Sequence, residues 1–335
     1  MPTLKLNRRN FTAGLLATPF VARSVPALAQ SLQEISYITP FGHSVVYAPD
    51  YVAATSGLFE KNGLKVNIIG GTGSAAAVQQ LVAGQVQVAR TGGIDIVRAI
   101  ANSDAPIRAI ATVSQSSTWH IISSQDAPIN TPEELAGKTV GIVSAGGGSE
   151  DTVDIVLAGA GIPKEEVRRQ VVGNSPGAFD LVKLGRIDAF ICDLSVVSNL
   201  RAIDAPMAVM QVDPFVAIPG QAYIATQETI DNHGDMLLGY LRSAKEAIQA
   251  IEADTDGQET LKLMEPFDFP ELRDPDTALA SLRAEQQVWL SKGSENVLRI
   301  YPEVWEEGWA QMAAAGIVEA GDASRAYTTV FSEQL

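Results

Sequence analysis

Two glycine- and serine-rich turns hold the clearest chemical potential in this chain: Gly70-Gly71-Thr72-Gly73-Ser74 and Ser144-Ala145-Gly146-Gly147-Gly148-Ser149. Each sits between an apolar stretch that reads as a strand and a segment with helical spacing. At such a junction the first N–H groups of the helix lack backbone partners and point outward, with the positive end of the dipole behind them. Both turns are natural anion cradles. A plainer reading, in which the glycines only permit a tight turn and the serines cap the helices, is equally compatible with these residues taken alone.

The first turn also spells Gly71-x-Gly73-x-x-Ala76 directly after a strand, which is the dinucleotide fingerprint. The following strand ends Val88-Ala89-Arg90, with no acidic residue at its tip to hold a ribose, although Arg90 would suit a 2′-phosphate. Neither turn continues as Gly-Lys-Ser/Thr, so neither is a P-loop. His43, His120 and His233 stand in no metal-ligand spacing, and no Gly-x-Ser-x-Gly elbow occurs. Glu150, Asp188 and Asp193 could form carboxylate pairs only if the fold brought them together. The sequence thus predicts no catalytic residue, metal or cofactor, with an exported dinucleotide-dependent oxidoreductase as the enzymatic alternative.

Strand, loop and helix alternate through most of the chain. Ile35 to Thr39 reads as a strand, followed by Pro40-Phe41-Gly42-His43 and a helix led by Pro49 that Gly57 can end. Lys65 to Ile69, a helix over Ala75 to Ala83 and the strand Val86 to Ala89 follow. A related unit returns at Gln170 to Val172, a helix begun by Pro176, and Ile187 to Ile191. Ser74 and Gly84 have the same separation as Ser175 and Gly185, and Gly-Gln-Val-Gln-Val parallels Gly-Arg-Ile-Asp-Ala, which suggests two lobes of similar construction. Thr131-Pro132-Glu133-Glu134 has the form of a capping box at a helix start. From about residue 228, segments 235 to 253, 276 to 289 and 302 to 315 are helical in spacing, and Trp289, Trp305 and Trp309 read as packing residues.

Residues 1 to 29 read as a removable twin-arginine signal peptide: Arg8-Arg9, a short apolar stretch from Thr12 to Ala22, and Ala27-Leu28-Ala29 as the cleavage pattern. Lys5, Arg8, Arg9 and Arg23 are its only charged residues. Removing those four from 24 leaves 20 basic residues against 39 acidic ones, a net charge of about −19. Such a balance disfavours nucleic acid and anionic lipid as partners. Cys192 is the sole cysteine, so neither an internal disulfide nor a lipid-anchored cysteine after the cleavage site is possible. The expected destination is the periplasm.

The string Ala48-Pro49-x-Tyr51-Val52-Ala53, Gly57-Leu58-Phe59, Gly63-Leu64-x-Val66 and Leu81-Val82-Ala83-Gly84-Gln85-Val86 resembles a known family. So does Ile129-x-Thr131-Pro132-Glu133-Glu134-Leu135-x-Gly137-Lys138-x-Val140-Gly141-Ile142, then Leu157-x-x-x-Gly161-Ile162 and Leu184-Gly185-Arg186-Ile187-Asp188-Ala189-Phe190. The resemblance is to the periplasmic substrate-binding proteins of ABC importers for sulfonates, taurine, nitrate, bicarbonate and thiamine-precursor pyrimidines. It covers most of the chain up to about residue 230. It implies an α/β, two-lobed, Venus-flytrap (type II) fold with a helical C-terminal part, monomeric, closing on a small-molecule ligand and presenting it to a permease in the inner membrane. The implied lobes are 31–122 with 225–335, and 123–224, with crossings at Ile121 to Ser124 and Tyr223 to Thr226.

Residue by residue, the resemblance carries the ligand site to Gly42, His43, Gly73, Ser74, Arg90, Thr91, Trp119, Gly147, Gly148, Ser149 and Asp193. His43 and Arg90 are not fixed features of that family, so they are candidates for ligand choice; each fits equally well as the partner of a nearby carboxylate. The thiamine-pyrimidine synthases of the same fold need a Cys-Cys-Cys-Phe-Cys run, which a chain with one cysteine does not contain. The expected ligand is a small organic anion, a sulfonate or carboxylate, held by helix-end amides and Arg90 with Phe41, Trp119 and Phe215 packing the remainder. The alternatives are a neutral or cationic ligand such as a pyrimidine or amine, accepted by Glu150, Asp193 or Asp95, and a sensor that keeps the fold without a permease.

Overall fold

The computed structural model describes residues 31–335, so the leader expected at 1–29 lies outside the described residues. The first sheet is built from β1 (Gln33–Ile38), the helices α1 (Ala48–Thr55) and α2 (Leu58–Lys61), β2 (Leu64–Ile69), α3 (Ser74–Val82), β3 (Val88–Thr91), α4 (Gly93–Ser103) and β4 (Ile107–Ser114). The chain then enters a second sheet through β5 (Trp119–Ser124), β6 (Thr139–Ile142), α5 (Gly148–Gly159), β7 (Arg168–Val171), α6 (Ala178–Lys183), β8 (Ala189–Asp193), α7 (Leu194–Ala202) and β9 (Met207–Gln211). It returns as β10 (Gln221–Thr226) and ends in helices: α8 (Gln227–Asn232), α9 (Gly234–Ala253), α10 (Gln258–Met264), α11 (Pro275–Trp289) and α12 (Pro302–Ala314).

The strand orders are β2-β1-β3-β10-β4 and β7-β6-β8-β5-β9. They are the same pattern written twice. In each sheet three parallel strands are followed by one strand that runs antiparallel to both its neighbours, β10 in the first and β5 in the second. The internal similarity read around Ser74–Gly84 and Ser175–Gly185 falls on the corresponding units β2-α3-β3 and β7-α6-β8. Gly84 and Gly185 both take the left-handed conformation (φ 71° and 65°) that ends their helices, for which glycine carries no Cβ penalty.

The expected crossings differ from those observed. β5 lies wholly in the second sheet, paired from Trp119 on both sides, and β10 lies wholly in the first. Strands laddered on both edges cannot act as flexible links; the chain changes sheets through 115–118 and 212–220. Those two segments press together: Gly220 N–H donates to the Ser114 carbonyl at 3.0 Å, and a Cβ on Gly220 would lie 2.5 Å from the Ser116 carbonyl oxygen. Thr131 does form a capping box with Glu134, but Pro132–Leu135 winds only one short 3-10 turn.

Packing explains the helical tail. In α9, Leu237, Leu241, Ala244, Ile248 and Ile251 recur at three- and four-residue steps, forming a buried stripe against one face of the first sheet with Tyr37, Tyr223 and α1. α12 contributes Trp305, Trp309 and Met312 to an apolar cluster that runs from Ile38 and Ile224 of the first sheet to Val140 and Ile191 of the second. On α11, Ala284 and Val288 join Val196, Val197 and Leu200 of α7. The C-terminal third thus ties the two sheets together from both sides, and all three tryptophans are packed inside as their spacing suggests. Among the described residues no helix is long and apolar enough to cross a membrane.

Candidate functional site

A cavity of about 300 Å³ opens between the two sheets, at the carboxyl ends of their parallel strands. Three helix N-termini line it: α3 at Gly73-Ser74, α4 at Gly92-Gly93 and α5 at Gly147-Gly148-Ser149. In each case the N-cap residue is a glycine and no side chain caps the first turn. The plainer reading of the two turns therefore fails for the N-caps, because an uncapped helix end leaves its N–H groups for water or a ligand. A third turn of the same kind, Thr91-Gly92-Gly93, was not singled out in the sequence.

Backbone packing fixes these turns. Gly71 N–H donates to the Phe41 carbonyl (3.0 Å) and Gly73 N–H to the Pro40 carbonyl (2.6 Å), so the loops after β1 and β2 are bonded to each other through their backbones. A Cβ on Gly71 would stand 2.0 Å from the Thr39 carbonyl oxygen, and one on Gly93 2.6 Å from that of Pro219. Gly71 of the apparent dinucleotide fingerprint is thus required by loop packing. Ser149, 2% exposed, turns its hydroxyl back to accept from the Val143 N–H at 3.1 Å. Trp119 at the start of β5 and Phe41, which is exposed, complete the apolar wall together with Ile94 and Ile218.

The charged groups of the cleft come from α4. Arg98 Nη1 donates to the Gly146 carbonyl at 2.7 Å, its guanidinium also pairs with Asp151 of α5, and Asp95 lies one turn back at 3.9 Å. Asp95 is desolvated in the cleft, which raises its carboxyl above the ordinary range; the Ser74 hydroxyl and Arg98 partly offset this. Arg98 gave no sequence signal: an arginine three residues after an aspartate on a helix is ordinary, and only the fold turns it toward the other lobe.

Of the residues carried over by resemblance, Gly73, Ser74, Trp119, Gly147, Gly148 and Ser149 line this cavity. The other five do not. Arg90 is fully buried beneath Tyr47 (guanidinium 5.1 Å from the ring centre), donates to the Val46 carbonyl (3.1 Å) and lies 3.9 Å from Asp50, itself bonded by Tyr223 and Tyr240. It is the carboxylate partner of the plainer reading, and from there it reaches neither a cleft anion nor a 2′-phosphate. The neighbouring Thr91 is likewise wholly buried. His43 Nδ1 meets the Tyr51 hydroxyl at 3.0 Å and its ring packs near Phe267, outside the cleft with Gly42. Asp193 caps α7, accepting from the Val196 N–H (3.1 Å) and from Asn174 Nδ2 (2.6 Å). Among the described residues no three His, Cys, Asp or Glu side chains are placed to hold a metal ion.

Two sheets of matching topology around a cleft of helix N-termini define a two-lobed periplasmic-binding-protein fold. Solved structures of that kind superpose over most of the chain. The periplasmic aliphatic sulphonate binding protein SsuA of Escherichia coli matches with a TM-score of 0.68 at 17% identity, over 89% of this chain and 92% of that one. The periplasmic nitrate-binding protein NrtA of Synechocystis PCC 6803 matches with a TM-score of 0.67 at 13% identity, over 90% and 88%. Residues 44–257 match the NMT1/THI5 like family, and the chain belongs to it. A formylaminopyrimidine-binding protein of Halalkalibacterium halodurans is 24% identical over 257 residues, 72% of this chain and 74% of the relative.

Proposed function

We propose that this protein is the periplasmic solute-binding component of an ABC importer, exported by its twin-arginine leader, and that it captures a small organic anion between its lobes without catalysing a reaction. The lobes are the bodies around the two sheets, hinged at 115–118 and 212–220. One observation carries the reading: three uncapped, glycine-begun helix N-termini converge on a single cleft. A partly buried helix N-terminus favours an anion by about 1 to 2 kcal/mol. The acidic surface does not cancel this, because charges beyond a Debye length of about 8 Å are largely screened at physiological salt. Arg98 is already matched to Asp151, so the amides supply the attraction.

A second reading has its own support: Asp95 is an acceptor inside the cleft, and a relative is named for a formylaminopyrimidine. An aminopyrimidine would donate to that carboxylate. A thermal-shift screen of alkanesulfonates, carboxylates, nitrate and aminopyrimidines, followed by calorimetry, separates the two. The anion reading expects stabilisation by the first three classes. Stabilisation by aminopyrimidines alone overturns it. Gly148→Asp supplies a control in the site: its Cβ would meet only Asp95 Oδ2, at 3.8 Å, so the fold tolerates it. The added carboxylate should weaken anion binding tenfold or more.

A further inference from the structure

Arg98 belongs to α4 of the first lobe, yet its hydrogen bond and closest ion pair are with the second. It grips the α5 turn at two points. Nη1 holds the carbonyl of Gly146, the residue before the α5 N-cap, and the guanidinium pairs with Asp151 in the first turn of that helix. Within its own lobe the turn is braced as well: the Gly146 N–H donates to Glu150 (2.6 Å), and Gly147 packs where a Cβ would lie 2.4 Å from Ser144 Oγ, while α12 packs on the body of α5 beyond the turn. Gly146 has a left-handed backbone (φ 66°), which turns its carbonyl to where Arg98 can reach it. The pair is partly shielded, with side chains 25% and 12% exposed, so salt screens it less than it would a fully exposed pair.

We propose that Arg98 is the positioning residue that makes closure of the lobes and assembly of the anion cradle a single event. When the lobes part, the guanidinium leaves Gly146 and Asp151 together, and the α5 amides turn away from those of α3 and α4. When they meet, the Arg98 contact sets the turn in register as the packing of α11 on α7 and of α12 on α5 brings the cleft together. The contact forms between protein groups alone, so it holds the closed form even before a ligand arrives. This inference rests on the cleft being the binding site, but its central claim is about closure.

Small-angle X-ray scattering of the ligand-free protein tests it, with melting curves as the check on folding. The wild type should scatter as a closed particle. Arg98→Ala should show a larger radius of gyration and maximum dimension, and Arg98→Lys an intermediate profile, since it keeps the charge and loses the two-point grip. The charge-exchanged double variant, Arg98→Asp with Asp151→Arg, should return toward the closed profile. A folded Arg98→Ala protein whose scattering matches that of the wild type overturns the proposal. If that variant does not melt cooperatively, the exchanged pair decides: a closed profile supports the proposal and an open one overturns it. An opening of Arg98→Ala alongside a screen in which no anion binds would leave closure by Arg98 standing while the anion reading fell.

Discussion

Arg90 and Asp50 face each other inside the first lobe, Nη1 to Oδ2 at 3.9 Å, and neither side chain reaches solvent. Tyr223 and Tyr240 donate to the other carboxylate oxygen of Asp50 at 2.8 and 2.6 Å. Removing one member of a buried pair leaves the other charge without compensation, which costs about 3 to 5 kcal/mol. Arg90→Ala should therefore lower stability by that amount in urea titrations while leaving the affinity of the folded fraction unchanged. A loss of affinity at wild-type stability would return Arg90 to the cleft.

Glu285 of α11 is 3% exposed and its Oε2 has no partner. Burial raises its carboxyl from 4.5 to about 7; Arg90 opposes the rise, while Asp193 and Glu271 add to it. The native state then binds its proton more tightly than the unfolded chain does, so this contribution is full below pH 4.5 and is lost as pH rises through 7. Glu285→Gln should match the wild type near pH 4.5 and exceed it by about 3 kcal/mol at pH 8, at about 1.4 kcal/mol per pH unit. Urea titrations across that range would show the two curves diverging; parallel curves would mean that Glu285 ionises freely.

The sequence made the fold legible because its signals are local and repeat. Glycine stops at Gly84 and Gly185, the α9 stripe from Leu237 to Ile251 and the strand-turn-helix junctions each follow from backbone sterics and periodicity. The α5 cradle was legible for the same reason. Arg90 was misplaced because a strand alternates its side chains: with Val88 and Tyr223 it falls on the face covered by α1 and α9, while Ala89 points to the opposite cluster. Asp193 was misplaced because a strand-end aspartate serves equally as a ligand contact or as the cap of the next helix, and Asn174 and Val196 claim it. Arg98 was missed because its partners come from another lobe, about fifty residues away in sequence.

Gly71 gives a sharper test of what the apparent fingerprint is for. A methyl group there would overlap the Thr39 carbonyl and crowd that of Pro40 (3.0 Å), both backbone atoms that cannot swing aside. Gly71→Ala should destabilise by about 1 to 3 kcal/mol and displace the α3 cradle, weakening anion binding as well. Melting curves and calorimetry on the same preparation would show both losses; a fully stable variant would mean that the loops after β1 and β2 repack.

Asp95 distinguishes the two ligand readings by the sign of a pH dependence. Its carboxyl is already raised by desolvation, and an anion seated at the neighbouring helix ends would raise it further, so anion binding takes up a proton. Affinity for an alkanesulfonate, which stays ionised throughout, should then increase as pH falls from 8 to 5, and Asp95→Asn should bind severalfold more tightly at pH 8 with little pH dependence. An aminopyrimidine demands the reverse, because protonation removes the acceptor it donates to: affinity would fall toward pH 5, and Asp95→Asn would bind weakly at every pH. Calorimetry with both probes at pH 5, 6.5 and 8 reads the sign directly. A sulfonate affinity that falls on acidification would count against the anion reading even if binding at neutral pH were tight.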